Sequence, residues 1–259
     1  MIDWLHELPV VWIGVVAFAG MALITAAIYV AVMKLAVGDR GAALKAVSPE
    51  MLPPMGITFA LIVGFLAAGV WGDADQAEES VNAEASALRS VVLLSDDLPA
   101  EAQTRMRALV RRHIEEAVSD EWPAMESQRA HLRTVPAPLA DALHLALGIA
   151  PQGEGQVIAQ REIVVSLERA LDARRQRIIV SGSRINAVKW TGLLLLAVLT
   201  LLAIAFVHSG NRRTAAVAMG VYAAAVGWVL VMLASQDRPF TGQLGLDPDV
   251  LQEVSPRSL

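Results

Sequence analysis

Four long apolar blocks and one long charged interval alternate along this chain, and the alternation predicts most of its organisation. The first block covers Val10–Val37, with Lys34 as its only charge, and is long enough to cross about 30 Å of hydrocarbon with some tilt. The second covers Met55–Trp71, at the short end for a span, and is opened by Pro53 and Pro54, where a helix start tolerates proline. The third covers Trp190–Val207 and the fourth Thr214–Ala234. The tight loop HSGNRR between them makes the last two an antiparallel helical hairpin. The expected fold class is all-α: an integral membrane protein with four transmembrane helices and an extramembrane helical domain between the second and third. The expected boundaries are 1–72 for the first two helices, 73–187 for the helical domain, 188–235 for the hairpin and 236–259 for a polar C-terminal tail.

In the charged interval Ala, Glu, Arg and Leu dominate and β-branched alternation is nearly absent. That pattern predicts helices at 74–95, 99–119, 122–133, 138–148 and 156–180. Pro99 with Glu101 reads as a helix start, as does Asp120-Glu121-Trp122-Pro123. Val135–Pro138 reads as a proline-broken turn and PQGEG as a loop; the tail carries DRPFTGQLGLDPDV, with Pro and Gly at turn positions.

Composition agrees with the membrane reading: of 259 residues 55% are apolar and 18% charged, against about 25% charged in soluble domains. A net charge of −5 and short basic runs without interleaved aromatics argue against a nucleic-acid partner. The absence of cysteine excludes disulfides, thiolate metal sites and cysteine nucleophiles. The opening MIDWLHELPVV lacks the basic n-region of a cleaved signal, so the first block reads as a retained span. There is no GxSxG, Walker or GxGxxG sequence. His113 with Glu115 and Glu116 lacks the i, i+4 His pair of a zinc protease and reads as a polar helix face. The chain is therefore read as a non-enzyme with no cofactor and no metal site.

Two charge counts disagree about orientation. Arg40 and Lys45 in loop 38–54 and Arg212 and Arg213 in loop 208–213 would make those loops cytoplasmic. Arg174, Arg175, Arg177, Arg184 and Lys189, crowding the approach to the third span, argue for a cytoplasmic helical domain instead.

The stretch 53–89 carries the candidate chemistry. Ile57, Leu61 and Phe65 fall on one helical stripe, whose continuation passes near Asp75, Glu79 and Asn82. Around a symmetry axis the first three would form an apolar neck that gates by dewetting, and a ring of acids at the mouth would favour cations. Asp73, Asp75, Glu78, Glu79 and Glu84 all precede the first base, Arg89, so the patch has one sign and would concentrate cations. Plainer readings stand beside these: a lipid- or core-facing stripe, and a solvated helix start whose acids complement the macrodipole. Gly64 in the second span, and Ala216, Gly220, Ala224 and Gly227 along the fourth, are small residues suited to close helix packing.

The runs ITFALIVGFLAAGVW, VNAEASALRSVVLLSDDLP, EWPAM and DRPFTGQL together resemble the bestrophin-like domain family of bacterial membrane proteins. The resemblance covers nearly the whole chain and implies two helices, a helical domain and two more helices, in a multi-pass protein of the cell inner membrane. ITFALIVGF is also similar, more distantly, to the neck helix of bestrophin ion channels, with Ile57, Leu61 and Phe65 in the neck positions and Gly64 before Phe65. This chain has one aromatic at the neck where bestrophins have two, and it lacks their acidic calcium-clasp run. The resemblance therefore implies a pentameric channel without calcium activation.

Together these readings give an oligomeric, passive, cation-preferring ion channel. Ile57, Leu61 and Phe65 are its pore neck, and Asp75, Glu79 and Asn82 its mouth. Its partners are monovalent inorganic cations, the lipid bilayer and further copies of itself. The alternative is a non-conducting membrane scaffold or sensor whose helical domain binds a partner or ligand.

Overall fold

Between Pro54 and Pro99 no proline interrupts the chain, and one α-helix takes up nearly all of that stretch. In the computed structural model, which describes residues 9–36, 47–132 and 135–256, α2 runs Leu52–Leu94 for 43 residues. At 1.5 Å per residue that is about 65 Å, roughly twice the hydrocarbon thickness of a bilayer. It follows α1 (Val10–Leu35) and a short 3₁₀ turn at Pro49–Met51, opened by Ser48, whose Oγ accepts the Glu50 N–H at 3.2 Å. The expectations placed on the amino-terminal eight residues, on the end of the first span, on Arg40 and Lys45, and on residues 133–134 lie outside the described residues.

The described residues contain no strand, and four of their helices are long and apolar enough to cross a membrane. They are α1, the helix containing α2, α7 (Ala187–Val207) and α8 (Arg212–Gln236). The chain is thus an all-α, four-span membrane protein. Residues 1–71 and 184–237 form one compact unit, and residues 72–183 with 238–259 form a second.

In the first unit α1, α7 and α8 bury Met21, Leu201 and Met219 against one another, and the inner face of α2 (Leu66, Ala67, Val70) packs on Leu193 and Leu233. Asn186 and Asn211 start α7 and α8 by accepting the backbone N–H groups of Lys189, and of Arg213 and Thr214. Asp237 Oδ1 accepts the Ile185 N–H at 2.6 Å and ties the entry of α7 to the exit of α8. Of the glycines assigned to packing, Gly227 faces a close neighbour: a Cβ there would lie 3.0 Å from Phe18 Cδ1 on α1. A Cβ built on Gly64 or Gly220 meets no described neighbour within 4 Å.

The second unit contains the rest of α2, then α3 (Ala100–Glu116), α4 (Trp122–Glu126), α5 (Ala137–Gly148), α6 (Glu154–Ser181) and α9 (Asp249–Glu253). Leu88, Met106, Ile163 and Leu167 are at its centre. One sequence expectation holds in part here and another fails. α4 starts at Trp122, as residues 120–123 predict, but a π turn at Ala117–Glu121 carries α3 into it without a break. Pro123, which lacks an N–H, is accommodated just after this wider turn. The helix expected over 122–133 stops at Glu126, where the chain reverses through Gln128 in the left-handed region (φ 53°).

The tail, expected to be polar, belongs to this core. Phe240 and Leu251 are buried in it, and Trp122 donates its indole N–H to the Leu246 carbonyl at 3.0 Å. Two glycines let the tail fold so tightly. Gly242 has φ 84°, and a Cβ on Gly245 would lie 2.9 Å from the Phe240 carbonyl carbon. The sequence pattern missed this because its apolar residues are single and separated by turns.

Candidate functional site

The two faces of α2 differ in what covers them. In the first unit Leu66, Ala67 and Val70 are buried, while Ile57, Leu61 and Phe65 are 69%, 57% and 72% exposed within the single chain. A large side chain left open on every turn is surface that another body must cover, whether lipid, a further copy or a narrow water column. In the second unit Ala77, Val81, Ala85 and Leu88 form the buried face, and Asp75, Glu79 and Asn82 are all exposed. Glu79 also borders a polar groove of about 650 Å³ between α2 and α6, with Ser80, Ser86, Arg169 and Asp172 along its walls.

Glu84 does not belong to that acidic surface. It points into the bundle, fully buried, and accepts Arg177 Nε at 2.7 Å and Nη2 at 3.2 Å on its two oxygens. His113, equally buried and far from the solvated face expected of it, lies with Nε2 2.9 Å from Glu84 Oε1. Its Nδ1 is buried with no hydrogen-bond partner among the described residues. Arg177 Nη2 also reaches Glu121 Oε2 at 2.9 Å, and Arg174 donates Nε to Glu121 Oε1 at 2.7 Å. The Arg177 guanidinium lies over the Trp122 ring, 5.3 Å from its centroid.

The two arginines of this cluster are matched by two glutamates, as burial of charge requires. Burial by itself would raise the Glu84 carboxyl, but the Arg177 charge and the His113 hydrogen bond outweigh it and hold the group down at about 2. Burial likewise opposes the Arg177 charge, and Glu84 and Glu121 overcome it, moving that guanidinium upward. The π turn supplies Glu121, α6 both arginines, α3 the histidine and α2 Glu84. Sequence spacing could not reveal the cluster, since Glu84 and Arg177 are 93 positions apart. No group of three or more potential metal ligands occurs among the described residues.

Removing one partner from such a cluster strands a buried charge, so Arg177→Met should cost about 3–5 kcal/mol in unfolding free energy. The double variant Glu84→Gln/Arg177→Met, which keeps the Glu121–Arg174 pair and an acceptor for His113, should recover more than half of that loss; thermal and denaturant unfolding measure both. The pH dependence has a definite sign. The folded-state value of Glu84 lies below its ordinary 4.5, so its contribution is complete above about pH 4.5 and is lost as pH falls through about 2. Hydrogen exchange across residues 100–126 should accelerate over that window in the wild type, and Glu84→Gln should remove the Glu84 part of the slope.

Residues 19–251 match the Bestrophin-like domain. No curated protein matches the chain. Among solved structures, a bacterial bestrophin homologue from Klebsiella pneumoniae, phased on zinc, superposes with a TM-score of 0.69 at 12% identity, over 93% of this chain and 95% of that one. The same homologue carrying a single substitution gives 0.68 at 12% identity, over 95% and 97% of the two chains. A further crystal structure, described as that of a membrane protein, gives 0.68 at 11% identity over 93% and 95%. At these identities the likeness is one of fold, over more than nine-tenths of each chain. This four-span protein belongs to the Bestrophin-like domain family.

Proposed function

We propose that the protein is an oligomeric, passive ion channel whose pore is lined by the uncovered face of α2. The observation that carries this reading is the exposure of Ile57, Leu61 and Phe65 on a helix that buries Leu66, Ala67 and Val70 on its other side. Membership of the Bestrophin-like family and the shared fold with bacterial bestrophin homologues support it. In this reading several copies of α2 surround one axis, and the three apolar side chains make a neck narrow enough to expel water when closed. Phe65, the bulkiest of them, contributes most of the constriction.

Beyond the neck, Asp75, Glu79 and Asn82 form the mouth. Each further copy adds two carboxylates there, an arrangement that cyclic symmetry repeats without further cost. Such a ring raises the local cation concentration and sets a preference for monovalent cations over anions. A pentamer in a bacterial inner membrane is the assembly and location that the bestrophin resemblance favours. Gly64, with open space about its Cα, is free to meet a neighbouring helix in that assembly.

Reconstituted in planar bilayers, the purified oligomer should conduct, and Phe65→Ala should raise open probability several-fold. Asp75→Asn/Glu79→Gln should shift the reversal potential in a salt gradient toward that of a non-selective pore. A silent bilayer from well-folded oligomer would reject the channel in favour of a scaffold or sensor acting through its helical unit. Unchanged reversal potentials would remove the acidic mouth while leaving the pore.

A further inference from the structure

Between α1 and α8, on the outer side of the first unit, lies a groove of about 370 Å³ whose walls are almost wholly apolar. Phe18, Ala22, Thr25 and Tyr29 form one wall, at the i, i+4, i+7, i+11 spacing of a single helix face. The other wall is made by Ala216, Gly220 and Ala224, one small residue per turn, and no atom lies within 4 Å of a Cβ built on Gly220. From Phe18 to Tyr29 is 11 residues, about 16 Å of helix, which is roughly the depth of one leaflet.

One end of the groove is chemically distinct. Tyr29 donates its hydroxyl to the Arg212 carbonyl at 3.3 Å, fixing that end of α1 beside the first turn of α8. Arg212 stands four residues before Ala216 and therefore on the groove face of α8, with Arg213 next to it; both are exposed. Neither side chain makes an ion pair or hydrogen bond with any described residue. Two cations at a helix N-terminus oppose the macrodipole, so helix stability does not account for them. One turn deeper, Thr25 Oγ1 is buried without a hydrogen-bond partner. In sequence from the membrane surface inward, the groove thus offers two free guanidinium groups, a phenol, an unpaired hydroxyl and then only hydrocarbon.

We infer that this groove is a binding site for an anionic phospholipid, holding the phosphate at Arg212 and Arg213 and one acyl chain between Gly220 and Phe18. The guanidinium forks match phosphate oxygens. A neighbouring helix could fill an apolar cleft, but it would bring no counter-charge to the two arginines at its head. The site is independent of whether the protein conducts.

The test is native mass spectrometry of the full-length protein released from nanodiscs of phosphatidylglycerol or of phosphatidylcholine with the same acyl chains. Wild type should retain phosphatidylglycerol at least about tenfold better, at one per subunit. Arg212→Gln/Arg213→Gln should abolish the preference for phosphatidylglycerol. Gly220→Leu, whose side chain projects into open groove, should lose both lipids while oligomer size stays the same. Glycerol phosphate without acyl chains should fail to displace bound lipid. Equal retention of the two lipids by wild type, or an arginine variant that keeps the preference, would overturn the site. A Gly220→Leu protein that changes oligomeric state with lipid retention intact would assign the groove to a neighbouring subunit instead. Should the arginine variant not fold, wild type alone still decides by its ratio of the two lipids.

Discussion

A guanidinium sealed from water must be surrounded by opposite charge, and in this protein the residues that surround Arg177 come from nearly every part of the helical unit. Glu84 arrives from α2, Glu121 from the π turn, Trp122 from α4, and His113 binds the same carboxylate from α3. The requirement is directional, because the fork of the guanidinium fits the two carboxylates only when both helices have one rotation about their axes. Glu84 is five residues beyond Glu79, roughly on the opposite side of α2, so the contact that fixes Glu84 inward also fixes Glu79 outward. Replacing buried ion pairs by apolar side chains often leaves stability intact. The value of this cluster therefore lies more in setting rotation than in adding free energy.

The membrane unit is organised on a different principle. Its inner surfaces are small and aliphatic, with Gly227 admitting the ring of Phe18 and Leu193 buried against Leu66, Ala67, Val70 and Leu233. What remains outside is also informative. One face of α2 carries large uncovered residues, and the cleft between α1 and α8 has one wall of small residues and is headed by two arginines with no ion pair among the described residues. The first pattern fits a ring of copies and the second a lipid.

Long-period features of the chain were legible in its sequence. Hydropathy alone located the spans, because a span needs some twenty apolar residues and nothing else in the chain supplies them. The stripe Ile57, Leu61, Phe65 and its continuation to Asp75 and Glu79 followed from helical spacing, since the helix is unbroken. What escaped notice depended on contacts between distant residues. Glu84 looked like one more acid in a solvated run, and His113 like part of a polar face, because their partner Arg177 is far along the chain. The tail looked polar because Phe240 and Leu251 are isolated apolar residues that only the folded helical unit brings into a core. The start at Trp122 was legible from Pro123, but the π turn that joins α4 to α3 and the early end of α4 at Glu126 were not.

The central claim is that the open face of α2 surrounds an axis shared by several copies. A cryo-electron microscopy structure of the purified oligomer in lipid nanodiscs tests it most directly, through the distance of each span from the symmetry axis. The account predicts cyclic symmetry with Ile57, Leu61 and Phe65 nearer the axis than any residue of α1, α7 or α8. Acyl-chain density packed against those three side chains, or an axis lined by a different span, would contradict it.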